Sequence, residues 1–413
     1  MKASARDITV LYLIRAIRAA GFGALGVLLA VYLPSFGLHP ATLGAYLSLT
    51  VLTALALNAF LLARVDAIGR RRVLAFAAAL YGVAGAALAL AHGPALLVVA
   101  ALTGALPPGG DGVFSMVEQA IIGNVDATER PAVFGRYGLV GSLAGSAGVL
   151  AAGVPALLAA RSGLGLLGAE RGAMVAYALL GVLALALTFT LGPAVEYAGD
   201  TRAPAEPRAP ARSLGRSRRL LVSMAGLFSA DAFGSAMVTT TLIGYWLHER
   251  YGLGPGALAL VFFAARMAAS VSYPIAIWLG RRIGLINTAV WTHIPSSLLL
   301  AALPLAGGVP GVAGLLVARG LLVEMDVPTR QAFISGAVDP EERAAAAGIT
   351  TLGRQVGQLA GPAAGGLALA LSAPALFALA AGVKIAYDLA LWGLCRKVPE
   401  VATPREVGTA AGG

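Results

Sequence analysis

Apolar runs of about 20 residues, the length at which a helix crosses a bilayer core, recur along almost the whole of this chain. In hydrocarbon a backbone must satisfy its own polar groups, so only helices or closed barrels span, and these runs lack the alternation of barrel strands. An all-α membrane protein is therefore expected. A mean hydropathy of +0.81, with 58% hydrophobic and only 12% charged residues, excludes the soluble globular class. Twelve transmembrane helices are expected, at residues 8–33, 41–63, 72–91, 95–122, 134–160, 172–193, 220–246, 255–279, 286–305, 310–335, 345–371 and 374–395. One stretch, "EYAGDTRAPAEPRAPARSLGRSRR" (196–219), is Pro-, Arg- and Ala-rich without apolar periodicity and reads as a flexible linker. The expected organisation is a six-helix half at 1–193, a cytoplasmic linker at 194–219, a second six-helix half at 220–397 and a tail at 398–413.

The formal charge of +10 is explained by topology rather than by a nucleic-acid partner. Lys2, Arg6, Arg64, Arg70, Arg71, Arg72, Arg130, Arg136, six linker arginines, Arg281, Arg282, Arg343, Arg396, Lys397 and Arg405 fall on one side of the spans. Only Arg161, Arg171 and Arg250 fall on the other. The crowded side is cytoplasmic by the positive-inside rule, so a multi-pass protein of the cell (inner) membrane with both termini in the cytoplasm is expected. Arg15 and Arg18 interrupt the first apolar run, so that run is expected to be an uncleaved span rather than a signal peptide. A single cysteine, Cys395, excludes an internal disulfide and a Cys-cluster metal site, and the four histidines are scattered. No nucleophile–base pair or phosphate-cradling loop is visible, so neither an enzyme nor a cofactor or metal is expected.

Shifted by 213, "NVDATERPAVFGRYGLVGSLAGSAGVLAAG" (124–153) falls without gaps on "AVDPEERAAAAGITTLGRQVGQLAGPAAGG" (337–366), aligning Asp126 with Asp339, Glu129 with Glu342, Arg130 with Arg343 and Gly148 with Gly361. With six spans per half the copies run in the same direction. Parallel repeats imply a pseudo-two-fold along the membrane normal and a binding site near the midplane. The loop "ARVDAIGRRR" after the second span, through Asp66, Gly69, Arg70 and Arg71, then resembles the loop motif of the major facilitator superfamily. It departs at Leu62 and Ala67, where the family has Gly and a basic residue. The stretch "GQLAGPAAGG" matches the antiporter motif of that family fully, with Gly357, Gly361, Pro362, Gly365 and Gly366, but in the eleventh span instead of the fifth. The resemblance implies the major facilitator fold, with the first, fourth, seventh and tenth spans lining a cavity. It also implies two halves rocking about a central site, with charges around Asp66, Arg70, Arg71, Glu129 and Arg130 closing the cytoplasmic gate.

Charges inside the spans are the second signal. Arg15, Arg18, Arg266, Arg319, Arg330, Arg354, Lys384, Asp111, Glu118, Asp231, Glu324, Asp326 and Asp388 all lie within apolar runs. Facing them to lipid would cost on the order of 30 kcal/mol, so they must face one another or a wet cavity. In "EMDVPTR", Asp326 and Arg330 are four apart on one face, with Arg319 seven before Asp326. Lys384 and Asp388 form another such pair, and the resembled fold brings Arg18 toward Asp231. His293 is expected to be a packing residue. Arg15, Arg18, Asp111, Asp231, Arg266, Arg319, Glu324, Asp326, Arg330, Arg354 and Gln358 are the candidate substrate or proton-coupling residues. A buried carboxylate takes up a proton when its cationic partner moves away. The expected activity is thus secondary transport of small organic solutes, coupled to protons, favouring efflux and performed by a monomer. An organic-anion exchanger or uptake carrier using Arg15, Arg18, Arg319 and Arg354 is the alternative, and a non-transporting sensor is the alternative of another class.

Overall fold

A computed structural model describes residues 4–109, 112–126, 128–163, 165–196, 218–326 and 343–395. Sixteen α-helices carry these residues, and no strand occurs among them: α1 (Ala5–Tyr32), α2 (Pro40–Leu62), α3 (Val65–Ile68), α4 (Arg70–Ala89), α5 (Pro94–Leu102), α6 (Gly112–Ile122), α7 (Arg130–Ala151), α8 (Val154–Ser162), α9 (Leu166–Phe189), α10 (Arg218–Met237), α11 (Thr240–Tyr251), α12 (Pro255–Ile283), α13 (Leu285–Ala302), α14 (Val309–Val323), α15 (Arg343–Leu371) and α16 (Ala373–Cys395). Nine helical stretches among the described residues are long and apolar enough to cross a membrane, and Val309–Val323 is a shorter apolar helix. Leu139, Leu179, Val182, Leu260, Leu352 and Leu389 lie exposed on their outer surfaces, an apolar exterior that a bilayer solvates and water does not.

Local chemistry sets the helix ends. Ser4 caps α1 in a reciprocal box: its hydroxyl accepts from Asp7 N at 3.1 Å, and the Asp7 carboxylate accepts from Ser4 N at 3.1 Å. The same carboxylate accepts from Gly192 N at 2.8 Å, tying the start of α1 to the segment after α9. Prolines occupy the first turns of α2, α5, α7, α8 and α14, where a missing N–H costs nothing.

Turns interrupt three of the expected spans, although Arg130–Arg161 and Leu221–Tyr251 each remain one apolar stretch long enough to cross a membrane. The run expected as one helix at 95–122 is α5, an irregular turn, and α6; Gly104 at φ +63 and a cis Pro107–Pro108 bond stand in the turn. Proline has no N–H to donate and clashes with the preceding turn, so a Pro-Pro pair cannot continue a helix. Backbone freed at membrane depth needs protein partners. The Tyr177 hydroxyl accordingly donates to Ala105 O at 2.8 Å, while Gly104 and Gly109 lie against the backbone of α2 around Ala54 and Val51. The run at 134–160 breaks between α7 and α8, at Gly153 and before Pro155. The run at 220–246 breaks between α10 and α11, where the Thr239 hydroxyl accepts from Leu242 N at 3.2 Å.

The helices form two compact units. The first gathers α1–α9 with Thr239–Phe263, which is α11 and the start of α12, and Pro362–Leu371, the end of α15. The second gathers α10, the rest of α12, α13, α14, most of α15, and α16. Small residues let backbones meet in each. In the first, a Cβ on Gly148 would overlap Ala20 O of α1, one on Gly181 would overlap Gly82 N of α4, and one on Gly366 would overlap Pro40 O of α2. At the far end of α1 the Thr241 hydroxyl donates to Gly26 O at 2.9 Å. In the second unit, Gly353 and Gly357 rest on the carbonyls of Ala225 and Ser229, and Gly320 rests on that of Ala265. Such contacts replace the hydrophobic drive that lipid does not supply.

Gly181→Val should lower the thermal unfolding midpoint of the detergent-purified protein, by an overpacking cost of about 2 kcal/mol. Gly382→Ala, where the added Cβ meets open space, should leave the midpoint unchanged or slightly raised. A fluorescence melting series checks both.

Candidate functional site

Two buried clusters of charge stand out, one in each unit. In the first, Arg18 is 1% exposed and its Nη2 donates to Glu118 Oε2 at 2.6 Å. The Tyr137 hydroxyl donates to the same oxygen at 2.5 Å. Phe114, one turn before Glu118 on α6, lies under the Arg18 guanidinium at 4.6 Å, and Arg15 lies over the Tyr137 ring at 4.9 Å. Three helices thus meet on one carboxylate: α1 supplies both arginines, α6 the acid and α7 the phenol. Gly141 of α7 makes room for Arg15, whose guanidinium would collide with any Cβ there. Within its own unit, Arg18 is partnered by Glu118, which spacing along one helix does not reveal.

The second cluster is larger. Asp231 of α10 is 3% exposed and accepts from Arg354 Nη1 of α15 at 3.1 Å and from Lys384 Nζ of α16 at 3.0 Å. Lys384 also donates to Ser235, one turn along α10, at 2.7 Å. His293 of α13 stands between two carboxylates: Nδ1 is 2.9 Å from both oxygens of Asp388, and Nε2 is 3.9 Å from Asp231 Oδ1. The geometry depends on glycine. Gly357, three residues after Arg354, sits on Ser229 O, which draws α15 close enough to α10 for the guanidinium to reach Asp231. Gly234 does the same for Lys384, whose Cγ packs where a side chain would stand.

Lys384 and Asp388 therefore do not pair with each other as their spacing suggests. A same-helix pair four residues apart contributes a few tenths of a kcal/mol, whereas a buried ion without a partner costs several, so the choice falls to neighbouring helices. Lys384 turns to α10 and Asp388 to α13. His293, expected only to pack, is 2% exposed and holds Asp388.

The remaining described candidates lie on α12, on α15 and around the end of α14, where the Glu324 carboxylate acts electrostatically on Arg319. Arg266 and Gln358 are exposed on α12 and α15, Arg319 and Glu324 are half-buried at and beyond the end of α14, and Asp326 is buried just after them. Asp111 and Arg330 lie outside the described residues, as does the side chain of Asp66, so the expected Asp326–Arg330 pair cannot be placed. Around the expected cytoplasmic gate, Gly69 turns at φ +98, and the Glu196 carboxylate accepts from Arg70 N at 2.7 Å and Arg71 N at 3.3 Å, capping α4. Arg71 Nη2 donates to Phe189 O at 2.6 Å, Arg130 Nη2 donates to Val125 O at 3.0 Å, and Glu129 precedes α7 on the surface. Of the antiporter-like glycines, Gly357 and Gly361 pack on α10, Gly365 is buried, and Gly366, after Pro362, packs on Gly44 of α2. A cavity of about 440 Å³ between α1, α7–α8 and α9 is walled by residues such as Ala24, Leu28, Ala151 and Ala173, with no charged side chain in its lining.

Glu118, Tyr137, Lys384, His293 and Asp388 are the members the sequence did not assign to a site. The spacing of Phe114 with Glu118, and of Asp231 with Ser235, was the available signal, since each pair occupies one helix face.

Comparison with known proteins decides the family. The family model of the Major Facilitator Superfamily matches residues 11–323. The chain belongs to that superfamily. Its fold is accordingly that of a superfamily transporter, and its general activity is secondary transport of solutes across a membrane. An uncharacterized membrane protein of Saccharomyces cerevisiae (strain ATCC 204508 / S288c), YJR124C, is 24% identical over 392 residues, covering 87% of each chain. Among solved structures, the nucleoside transporter NupG is similar with a TM-score of 0.73 at 15% identity, covering 94% of this chain and 98% of that one. Peptide transporter POT in complex with sulfate gives 0.68 at 15% identity, covering 95% of each. A bacterial homologue of the iron transporter ferroportin, in an inward-facing state, gives 0.68 at 14% identity, covering 94% and 100%.

In this superfamily member the Arg18–Glu118 pair provides a direct stability test. Glu118→Leu should destabilise by about 3 kcal/mol or more, because it removes the carboxylate paired with a buried guanidinium, and Arg18→Leu combined with Glu118→Leu should recover much of the loss. Thermal unfolding of the single and double variants reads the difference.

Proposed function

We propose that this transporter exports small organic solutes in exchange for protons, alternating access between two six-helix halves, as a monomer in the cell (inner) membrane with both termini cytoplasmic. The observation that carries the reading is the asymmetric clasp on Asp231. Its two cations differ: the Lys384 side chain is 2% exposed, whereas that of Arg354 is 33% exposed. Arg354 is thus the arm able to leave for a solute. An ionised Asp231 holds it, and a protonated Asp231 releases it, because the attraction requires the charge. Proton binding at Asp231 and solute binding at Arg354 are then linked through one ion pair, which is the elementary condition for coupling.

The full match of "GQLAGPAAGG" to the antiporter pattern supports export, and Gly357 within it sets the reach of Arg354. The nucleoside and peptide transporters of the same fold suggest solutes of that size class. Arg18, already paired with Glu118, supports the anion-exchange alternative less well. Asp326, buried at 5%, enters the proposal as a second carboxylate at the end of the tenth apolar run.

In vesicles reconstituted with the purified protein, a pH gradient should drive solute accumulation. Asp231→Asn should reduce that accumulation to the level of protein-free vesicles while leaving solute–solute counterflow measurable. Gradient-driven accumulation that survives Asp231→Asn would sink the proposal.

A further inference from the structure

We infer that the apolar cavity of the first unit is a site for one anionic membrane phospholipid, with an acyl chain lying in the cavity and the phosphate resting on Arg161. The site is separate from both charge clusters and independent of the transport reading. Its volume of about 440 Å³ falls in the range of cavities that hold small molecules. The walls account for that volume. Ala24 of α1, Ala151 of α7 and Ala173 of α9 end at Cβ where larger side chains would close the seam between these helices. Tyr177 also lines the cavity, but its hydroxyl donates to Ala105 O at 2.8 Å, so it offers an occupant a ring face and not a donor. A cavity walled in this way stays dry. Left empty, it would deprive the facing side chains of the van der Waals contacts that hold helices together in lipid.

Access, length and charge identify the occupant. Val154 and Leu158 form a rim of the cavity and are exposed on the apolar exterior, so the opening faces the bilayer. On α9 the lining runs from Ala169 to Leu180, roughly 16 Å of helix, and this is about half of a hydrocarbon core roughly 30 Å thick. The groove is therefore one leaflet deep. Its walls on α1 and on α7–α8 end at Leu28 and Leu158, near the helix ends on the side of Arg161. Val154, Pro155 and Leu158 share the lining face of α8, and Arg161, three residues after Leu158, continues that face in the last turn. Arg161 is exposed and has no ion-pair partner among the described residues, whereas Arg171 donates to Ala91 O at 2.9 Å. A guanidinium at the mouth of a groove one leaflet deep meets the phosphate of a lipid whose chain enters that groove. The lining carries no acid to pair with a cationic headgroup, so an anionic glycerophospholipid fits best.

Native mass spectrometry of the full-length, delipidated protein in detergent, titrated with dioleoylphosphatidylglycerol, tests the site. One molecule should bind the wild type ahead of weaker further additions. Ala173→Phe and Ala151→Leu place bulk in the cavity from two different helices, and each should weaken that first binding about tenfold or more. Their melting midpoints without lipid should stay equal to the wild type or rise, because a void is filled; if one variant does not fold, the other still reads the site. Arg161→Gln should weaken the first binding about fivefold, the effect of one basic group beside an anionic lipid, and Arg161→Lys should retain it. Dioleoylphosphatidylcholine should bind the wild type more weakly than the phosphatidylglycerol does. A first phosphatidylglycerol held equally well by the wild type and by the folded cavity variants lies elsewhere on the surface and overturns the site. A wild type without a preferred first molecule, or a first binding indifferent to Arg161→Gln, overturns it as well.

Discussion

The organisation of this protein depends on one constraint: an ion enclosed among membrane helices must find its counter-charge on another helix. Arg18 finds Glu118 across α1 and α6, and Asp231 gathers Arg354 and Lys384 from α15 and α16. In the Asp231 cluster the bonds require backbones to come close, and that close approach requires residues without a side chain. Electrostatics and glycine placement are therefore a single design. Gly357 is as much a part of the Asp231 cluster as Arg354 is, since the guanidinium reaches its partner only because α15 rests on Ser229. Likewise Arg15 occupies space that Gly141 leaves empty.

Most of the fold was legible in the sequence, because bilayer thickness and backbone satisfaction permit few solutions. Where the reading failed, the cause was punctuation inside long apolar runs. The Pro107–Pro108 pair splits α5 from α6, and Thr239 opens α11 where hydropathy alone shows an unbroken run. Loss of an N–H or gain of a cap hydroxyl changes the helix without changing the mean hydropathy, so a window average passes over it. The alignment of 124–153 with 337–366 is a sequence reading alone, and residues 337–342 of its second copy lie outside the described residues.

The site was legible in its members and illegible in its pairings. Arg18, Asp231 and Arg354 could be named because charge in an apolar run is costly wherever it points. Their partners could not, since spacing along one helix says which side chains share a face and nothing about which helix lies opposite. Lys384 and Asp388 show the difference: four residues apart, they look in different directions. His293 looked inert for the same reason, as its meaning comes from two carboxylates 95 residues downstream and on another helix upstream. The two clusters also differ in chemistry. The first is closed by an aromatic lid and a phenol, while the second keeps one arm partly in water.

The meeting of Gly44 with Gly366 has a consequence for the history of the sequence. A methyl group added at either position would land on the backbone of the other, and the neighbouring Ser48 hydroxyl accepts from Ala363 N at 2.9 Å along the same line. Neither position can drift alone. Descendants of this chain that enlarge one of the two residues must also part the helices there, so the pair should evolve as a unit and mark, in any comparison of relatives, which of them still close this contact.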